Sequence, residues 1–543
     1  MIKPVVFLAI ISILYSASFA QAPSWEWSRS AGGALSDTGP SIAVDGSGNT
    51  YMTGIFESPS ITFGPYTLLN SGSFDIFVVK YDPDGNVLWA ASAAGTGFDN
   101  PRSIAVDAAG NAYITGNFDS PTLTFGPYTL TNTGVGLFLA KYRSDGTVAW
   151  AKSAGGPAVA YAASTVAVDA SGNPYVAGYA NVSVITFDTI SLANTGVFIV
   201  KYNTDGSALW ARTAGRGAGL GYVAESIAVD ASGNAYIEGN YDGTMVFGPF
   251  TLLSAGMTDV FLAKYDAGGG VQWARSAGGA NYEYAGSNAV DPSGNIYITG
   301  DFGDPLTIIG HDTLVFKGVD DIFLAKYDAG GNVLWATSAG DTYMEQALSL
   351  TADALGNAYI AGYFNDSSFT IGSTTLVNAR RGYDESFVAK YNPDGNVMWA
   401  MSAGGINTDD ATSVAADASG NVHLAGFCIS PTLTFGSFVL TNTNPSGIYS
   451  DLFLAKLDNP DGINEIVSPA TVELSPNPAT DHITIKIPEK ASLEIFNING
   501  QIMKTITLEI HETYVDIEDF LHGVYILKVR TEKEIVTKKF IKE

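Results

Sequence analysis

The phrase that decides the fold is "IAVDASGNAYI", residues 227–237, which returns six more times in nearly the same words. The other copies begin at residues 42, 104, 166, 288, 350 and 414. Such a phrase is either a repeated active element or the joint of a repeated scaffold. Asp, Gly and Asn are the residue types that tight turns require, so we interpret it as scaffold. The alternative is a ladder of calcium sites, although the phrase lacks the dense carboxylate spacing of a known calcium loop.

Two further residue types, tryptophan and lysine, recur with the same period as this phrase. Tryptophans recur 60 to 64 residues apart: Trp27, Trp89, Trp150, Trp210, Trp273, Trp335 and Trp399. Lysines recur 60 to 66 residues apart: Lys80, Lys141, Lys201, Lys264, Lys326, Lys390 and Lys456. Three independent markers predict seven structural repeats. We expect each lysine to pair with a carboxylate rather than bind a ligand, because a buried lysine needs a partner.

Each repeat contains four short strands between tight turns. In the first repeat the strands are "SIAVD" (41–45), "NTYMTGIF" (49–56), "DIFVVKYD" (75–82) and "NVLWAAS" (86–92). Gly-Asn and Asp-Gly pairs supply the backbone angles of hairpin turns. Four antiparallel strands repeated radially make a propeller blade. The pattern "FGPYTL" (63–68) and its relatives predict one extra hairpin per blade. The fold prediction is therefore all-β, with a seven-bladed β-propeller over residues 23–458.

The two ends of the repeat region complement each other. The strand "WEWSRS" (25–30) precedes the first complete repeat, and the last repeat has no tryptophan strand after Lys456. We predict that the N-terminal strand completes the last blade, which would remove two exposed sheet edges.

The N-terminal segment predicts export. Lys3 precedes an apolar run that ends in Ser18-Phe19-Ala20, so residues 1–20 are read as a signal peptide cleaved at Ala20. A membrane anchor is the alternative, but the run is short for a bilayer. No later stretch is long and apolar enough to span a membrane. The mature chain should therefore lack a transmembrane segment.

Composition excludes several classes. The formal net charge of −27 argues against nucleic acid as a partner and favours cations or cationic partners. Cys428 is the single cysteine, so an intramolecular disulfide and a cysteine-based zinc site are both excluded. We found no zinc motif, nucleophile elbow or phosphate loop. We therefore predict no cofactor, with calcium as the one possible exception.

The sequence changes character after the repeats. We assign residues 459–463 to a linker and 464–543 to a small β-sandwich, because segments such as "LSPNPATDHITIKI" (474–487) and "HGVYILKV" (522–529) read as half-buried strands. Such a sandwich either serves the export of the protein or is a binding domain that the mature protein retains.

At this level of detail both regions resemble known families. The phrases of residues 25–458 resemble SBBP repeats, the seven-bladed β-propeller repeats of bacterial exported proteins. The Ser-Pro-Asn-Pro opening and the basic end of residues 464–543 resemble a type IX secretion C-terminal sorting domain, type A. The second resemblance implies a Bacteroidetes-like source, the type IX secretion machinery as a partner and removal of this domain on arrival. It also implies that the protein is secreted or held at the outer-membrane surface.

The candidate site lies on the face that carries every long connection, where binding residues are expected. Ten residues after each repeat tryptophan, five of the seven positions are acidic, the exceptions being Ala160 and Leu220. We predict a ligand-binding ring of these acids and neighbouring tyrosines: Asp37, Asp99, Glu283, Glu345, Asp409, Tyr282, Tyr284 and Tyr343. The ring could hold calcium, a cationic segment or a sugar. The alternative is that each carboxylate caps its own loop.

These observations predict a non-catalytic module, at the cell surface or outside the cell, that binds a glycan or a protein. One alternative is an extracellular polysaccharide-acting enzyme, a hydrolase or lyase, which would need paired carboxylates in the central mouth. The other is a structural surface-layer component, which would self-associate without a ligand.

Overall fold

The computed structural model of the chain describes the following residues: 23–132, 134–155, 161–181, 184–193, 196–213, 223–303, 305–459, 473–475, 478–487, 491–497, 502–508, 511–530 and 535–542. Strands and no helix occur among them, so the predicted all-β class is confirmed. The predicted signal peptide, its cleavage at Ala20 and the linker beyond residue 459 lie outside them. Two compact units are present, Met1–Pro460 and Asp461–Glu543.

Six four-stranded antiparallel sheets and one six-stranded sheet build the first unit in the part of the chain that the structure describes. The six-stranded sheet consists of four equivalent strands and a short hairpin of the next repeat. Their first strands are β2 Asp37–Val44, β8 Asp99–Val106, β14 Tyr161–Val168, β20 Val223–Val229, β26 Glu283–Val290, β32 Glu345–Ala352 and β38 Asp409–Ala416. Their second strands are β3 Thr50–Phe56, β9 Ala112–Phe118, β15 Pro174–Ala180, β21 Ala235–Tyr241, β27 Ile296–Phe302, β33 Ala358–Phe364 and β39 Val422–Cys428.

The third strands are β6 Asp75–Tyr81, β12 Gly136–Tyr142, β18 Val197–Tyr202, β24 Asp259–Tyr265, β30 Asp321–Tyr327, β36 Glu385–Tyr391 and β42 Asp451–Leu457. The fourth strands are β7 Val87–Ala94, β13 Val148–Ala154, β19 Ala208–Thr213, β25 Val271–Ala277, β31 Val333–Ala339, β37 Val397–Ala403 and, in the last sheet, β1 Trp25–Ala31. Each sheet runs in the order first, second, third, fourth.

A short hairpin follows each second strand. The hairpins are β4 Ser60–Phe63 with β5 Tyr66–Leu69, β10 Thr122–Phe125 with β11 Tyr128–Thr131, β16 Val184–Phe187 with β17 Ile190–Ala193, β22 Thr244–Phe247 with β23 Phe250–Leu253, β28 Leu306–Ile309 with β29 Asp312–Val315, β34 Ser368–Ile371 with β35 Thr374–Val377 and β40 Thr432–Phe435 with β41 Phe438–Thr441. They occupy the segment in which the sequence predicted an extra hairpin.

The strand nearest the N-terminus belongs to the last sheet. β1 pairs antiparallel with β42, and Trp27 lies opposite Lys456. In the first sheet, Trp89 of β7 lies opposite Lys80 of β6 in the same register. β1 therefore takes the place that the tryptophan strand has in the other sheets.

The first strands contact one another in a closed cycle. β2 contacts both β8 and β38, and every other first strand contacts the one before it and the one after it. Serine hydroxyls join neighbouring sheets at this level: Ser413 Oγ accepts the Ile42 N–H at 3.1 Å, and Ser41 Oγ accepts the Ile104 N–H at 3.3 Å. These contacts accord with a radial arrangement, and the count of seven blades stays a prediction of the sequence markers.

The repeated phrase forms a turn and a contact between sheets. The Asp45 carboxylate accepts the backbone N–H groups of Ser47 and Asn49, at 2.9 and 3.0 Å. The Tyr51 hydroxyl donates to the Gly110 carbonyl in the next sheet at 2.8 Å. Lys80 Nζ lies 3.6 Å from Asp45. Equivalent bonds recur along the chain, so these residues have the geometry of scaffold.

The repeat tryptophans extend the same linkage. Trp89 Nε1 donates to the Ser144 carbonyl in the turn of the next sheet at 3.1 Å. Gly146 in that turn has φ 86°. A Cβ there would lie 2.8 Å from the Trp89 ring, so the turn requires glycine for both its conformation and its packing.

The second unit consists of two sheets. The first has the order β43-β44-β47 and the second β46-β45-β48-β49. Their strands are β43 Glu473–Ser475, β44 His482–Ile487, β45 Ala491–Asn497, β46 Ile502–Leu508, β47 His511–Asp516, β48 Gly523–Arg530 and β49 Ile535–Lys542. Ile483, Ile485, Leu493, Leu527 and Phe540 form a common buried core. This arrangement is that of a small sandwich.

Candidate functional site

Three of the predicted ring carboxylates are held by a serine that follows the second strand of the same sheet. Asp37, Asp99 and Asp409 are fully buried at the start of a first strand. Each accepts a serine hydroxyl, the serines being Ser58 at 2.9 Å, Ser120 at 2.7 Å and Ser430 at 2.6 Å. Burial outweighs these bonds and raises the pKa of Asp37 to about 7 and those of Asp99 and Asp409 to about 6.

The two glutamates of the predicted ring have the same setting. Glu283 accepts the Gly279 N–H and the Thr307 hydroxyl, both at 2.8 Å. Glu345 accepts the Asp341 N–H at 3.1 Å, and burial raises its pKa to about 7. A ligand could reach the five carboxylates only if these loops opened. The backbone N–H contacts of Glu283 and Glu345 are those expected if each acid caps its own loop, whereas Glu345 Oε1 has no hydrogen-bond partner among the described residues.

The predicted tyrosines, in contrast, lie at the surface. Tyr282 and Tyr284 are 40% and 42% exposed, and their rings stack with centroids 6.0 Å apart. Tyr343 is also exposed, and the Arg381 guanidinium lies 4.1 Å from its ring centroid. Two stacked aromatic rings open to solvent give a ligand apolar contact area together with hydroxyl donors.

An acidic cluster that the sequence analysis missed lies beside these tyrosines. We call it the acidic–tyrosine site and define it by six residues: Tyr284, Asp301, Asp320, Tyr363, Asp384 and Asp410. Asp301 on β27 lies directly opposite Tyr284 on β26. Asp320 and Asp384 stand immediately before the third strands of two successive sheets. Their backbone carbonyls accept the N–H groups of Glu345 and Asp409, both at 2.9 Å.

Asp301 is the innermost acid of this site. Its side chain is buried, with 6% exposure, and its Oδ2 has no hydrogen-bond partner among the described residues. Burial, and secondarily the charge of Asp320, raises its pKa to about 8. Asp410 also has a buried oxygen without a partner, Oδ1. Burial and then the charges of Asp384 and Asp409 raise its pKa to about 7.

Tyr363 is the residue whose pKa is influenced by all four carboxylates. Burial raises its pKa first, and the charges of Asp384, Asp410, Asp301 and Asp320 raise it further. Its hydroxyl donates to Gln346 Oε1 at 2.5 Å. Burial also raises the pKa of Tyr284, and Tyr282, Asp301 and Asp320 raise it further. Both tyrosines are therefore coupled electrostatically to the acids of this site.

The sequence contains a signal for this site, because the repeats differ in residue type at the positions of its acids. At the register of Asp301 the other second strands carry Ile55, Asn117, Tyr179, Asn240, Tyr363 and Phe427. Before the third strands, Asp320 and Asp384 stand where other repeats have residues such as Phe74, Val135 and Thr258. An acid that appears at a position in only one or two repeats is not demanded by the scaffold.

No group of three or more His, Cys, Asp or Glu side chains is arranged to hold a metal ion in the part of the chain that was searched, the described residues. The chemistry that the acidic–tyrosine site offers is instead the attraction of a positive group to carboxylates and aromatic faces.

A second polar region lies between the first strands. A cavity of about 360 Å³ is lined by hydroxyl residues at equivalent positions of all seven repeats: Ser41, Ser103, Thr165, Ser226, Ser287, Ser349 and Ser413. Arg102 and Glu225 also line it. Several of the hydroxyls are engaged in the contacts between sheets described above, so this lining is in part structural.

Two segments match models of known protein families. Residues 26–54 match the beta-propeller repeat SBBP, and residues 473–543 match the secretion system C-terminal sorting domain. Both resemblances seen in the sequence are confirmed. The sorting domain indicates export to the cell surface or the medium and implies interaction with the type IX secretion machinery. Within the described residues no helix is long and apolar enough to cross a membrane.

Similarity to individual proteins is lower. An uncharacterized WD repeat-containing protein of Acanthamoeba polyphaga mimivirus is 25% identical over 74% of this chain and 36% of its own length. The regulatory protein FlaEY of Caulobacter vibrioides is 31% identical over 20% of this chain and 12% of its own length. The chain therefore spans well under two thirds of either relative.

A solved structure, that of PorZ, a surface component of the type IX secretion system of Porphyromonas gingivalis, aligns with 92% of this chain and 75% of its own. The sequence identity is 13% and the TM-score 0.32. A similarity at this level supports no conclusion about what the present chain does.

Proposed function

We propose that this exported protein is a non-catalytic binding module for a glycan or a protein, and that the ligand binds at the acidic–tyrosine site. The observation that carries the proposal is the break in the repeat. The charges of Asp301, Asp320, Asp384 and Asp410 all raise the pKa of Tyr363, and Asp301 lies directly opposite exposed Tyr284. Most other repeats carry neutral residues at the positions of these acids. A buried acid with an unpartnered oxygen costs stability, and a cost of this kind is typical of functional sites.

A second candidate function, an extracellular hydrolase or lyase acting on polysaccharide, is favoured by one specific observation. Asp301 and Asp320 are neighbours, and burial keeps the pKa of Asp301 at about 8 beside a second carboxyl. One acid held protonated next to another carboxylate is the pairing that glycoside hydrolysis uses. The third candidate, a structural surface-layer component, would self-associate in solution without a ligand.

The test is binding of the full chain to glycan and protein arrays, with calcium and with a chelator. The informative variant is the double substitution Asp301→Asn, Asp410→Asn, which removes charge with little change of shape. Asp84→Asn, in an exposed turn of the first repeat, is the matched control. We expect a specific hit that the control retains and the double variant loses.

Other outcomes would contradict the proposal in distinct ways. A hit that survives the double variant would place the ligand elsewhere on the molecule. Cleavage of an array polysaccharide that the double variant abolishes would favour the enzyme. Absence of any hit, together with reversible self-association in analytical ultracentrifugation, would favour the surface-layer component.

A further inference from the structure

Two exposed apolar side chains, Met257 and Val319, lie at the border of the acidic–tyrosine site. Met257 and Val319 occupy the same position in two successive repeats, two residues before the third strand, and are 53% and 54% exposed. Their backbone N–H groups donate to Asn281 and Tyr343, both at 2.9 Å, in the connection to the next sheet. Met257 therefore lies beside the Tyr282–Tyr284 stack, and Val319 lies between Tyr343 and the acid Asp320.

The centre of the site holds four carboxyl groups, and the described residues supply no internal counter-charge for their ionised forms. The pKa values of Asp301, Asp320, Asp384 and Asp410 are all raised. Burial is the main cause for all four, other carboxylates add to it for Asp301 and Asp410, and hydrogen bonds from Thr408 and Asn365 act in the opposite direction on Asp384. No basic side chain among the described residues is one of the causes. A cation that entered the site would favour the ionised forms of these carboxyls, and its N–H group would give Asp301 Oδ2 the donor that it lacks.

These two observations together specify a partner. We propose that the acidic–tyrosine site takes a lysine or arginine side chain of a partner protein, while apolar residues that flank it pack on Met257, Val319 and the Tyr282–Tyr284 stack. The inference rests on the proposed binding function and narrows it.

A protein fits this border better than a glycan does. The side chains of Met257 and Val319 offer no hydrogen bond to a sugar hydroxyl, whereas Met and Tyr are enriched in protein interfaces. A charged residue buried at the centre, with apolar contacts that exclude water around it, is the usual pattern of an energetic hot spot. The formal net charge of −27 would also steer a cationic partner toward the protein.

The experiment is selection of peptides by the full chain from an immobilised random-sequence library. Single peptides are then measured by calorimetry beside versions in which norleucine replaces lysine and citrulline replaces arginine. We expect selected peptides to share a Lys or Arg with apolar neighbours. The neutral versions should bind at least about tenfold more weakly, because a buried charge would lose its partner. Separate lysine and arginine sets identify which cation the site prefers.

Variants locate the contact. Asp301→Asn with Asp410→Asn should weaken cationic peptides at least about tenfold. Met257→Ser with Val319→Ser should weaken them severalfold and leave the cation preference unchanged. Asp84→Asn should bind as the unchanged chain does. Thermal unfolding of each variant verifies that it is folded, and added salt should weaken binding to the unchanged chain more than to the Asp301, Asp410 variant.

The outcomes separate this inference from the function on which it rests. No cation among the selected sequences, or equal affinity of the neutral versions, would overturn the cationic protein partner. A chitosan oligomer, which is a cationic glycan, is measured alongside the peptides. If the oligomer binds and every peptide fails to bind, the cationic protein partner is overturned, whereas the proposed binding function still stands. If the peptides, the oligomer and both arrays all fail to bind, the binding function fails as well.

Discussion

At the scale of single residues, Glu238 is an acid at a position where the other second strands carry threonine or alanine. In the equivalent position of the first sheet, the Thr53 hydroxyl donates to the Phe77 carbonyl at 2.8 Å. Glu238 is fully buried, and neither of its carboxyl oxygens has a partner among the described residues. Burial, and then the charge of nearby Glu225, raises its pKa well above the ordinary range. A side chain that cannot satisfy its polar atoms costs stability.

Three of the other sheets carry threonine at this position, namely Thr53, Thr115 and Thr299. Replacing Glu238 by threonine should therefore stabilise the first unit. For Glu238→Thr we expect a gain of about 1–3 kcal/mol in the free energy of unfolding, because an unsatisfied carboxyl is exchanged for a hydroxyl that can reach the third strand. Denaturant unfolding followed by tryptophan fluorescence measures it. A variant less stable than the unchanged chain would mean that Glu238 has a stabilising partner.

The same residue predicts a pH dependence. The folded chain binds the Glu238 proton more tightly than the unfolded chain, so stability falls as the pH rises from the ordinary pKa of 4.5 toward the raised value in the folded state. Glu238→Gln cannot titrate there and should lack this part of the decline. Thermal unfolding of both proteins across this pH range makes the comparison. Parallel curves for the two would contradict the prediction.

At the scale of elements, the strands were predictable because their turns are local. Gly-Asn and Asp-Gly pairs fix hairpins within a few residues, and the extra hairpin lies where "FGPYTL" and its relatives predicted it. The candidate site was less predictable, because burial depends on neighbouring sheets. Asp37 and its equivalents were expected to bind a ligand, and their side chains are buried in the structure. Asp301 was not predicted as a site residue, because its electrostatic coupling to Asp320 and Tyr363 depends on the folded structure.

The strand β1 carries a prediction at this scale. Deletion of residues 23–31 should expose the edge of β42 and cause aggregation, because an open strand edge pairs with other chains. Light scattering of the purified deletion protein measures this. A synthetic peptide of residues 23–31 should suppress the scattering, and a peptide with proline in place of Arg29 should not. A deletion protein that stays dispersed would contradict the role of β1 as the closing strand.

At the scale of the whole molecule, the chain divides its work between two units. The repeats carry the candidate site, and the match of residues 473–543 to a sorting domain accounts for export. Deleting residues 464–543 should leave the chain inside the cell envelope of a host with type IX secretion, whereas the full chain reaches the surface or the medium. Fractionation with immunodetection distinguishes the two. Surface exposure of the deletion protein would show that the last unit is not required for export.

The pairing of β1 with β42 also has a consequence for timing. Ser24 N–H donates to Asp458 Oδ1 across 434 residues at 2.5 Å. β1, the first strand of the first unit, therefore has to wait for synthesis of β42, the last strand of that unit, and long-range pairing of this kind forms slowly. A chain truncated before β42 would leave β1 without its pairing partner, and an unpaired strand is susceptible to proteases. Pairing of β1 with β42 therefore distinguishes a complete first unit from a truncated one.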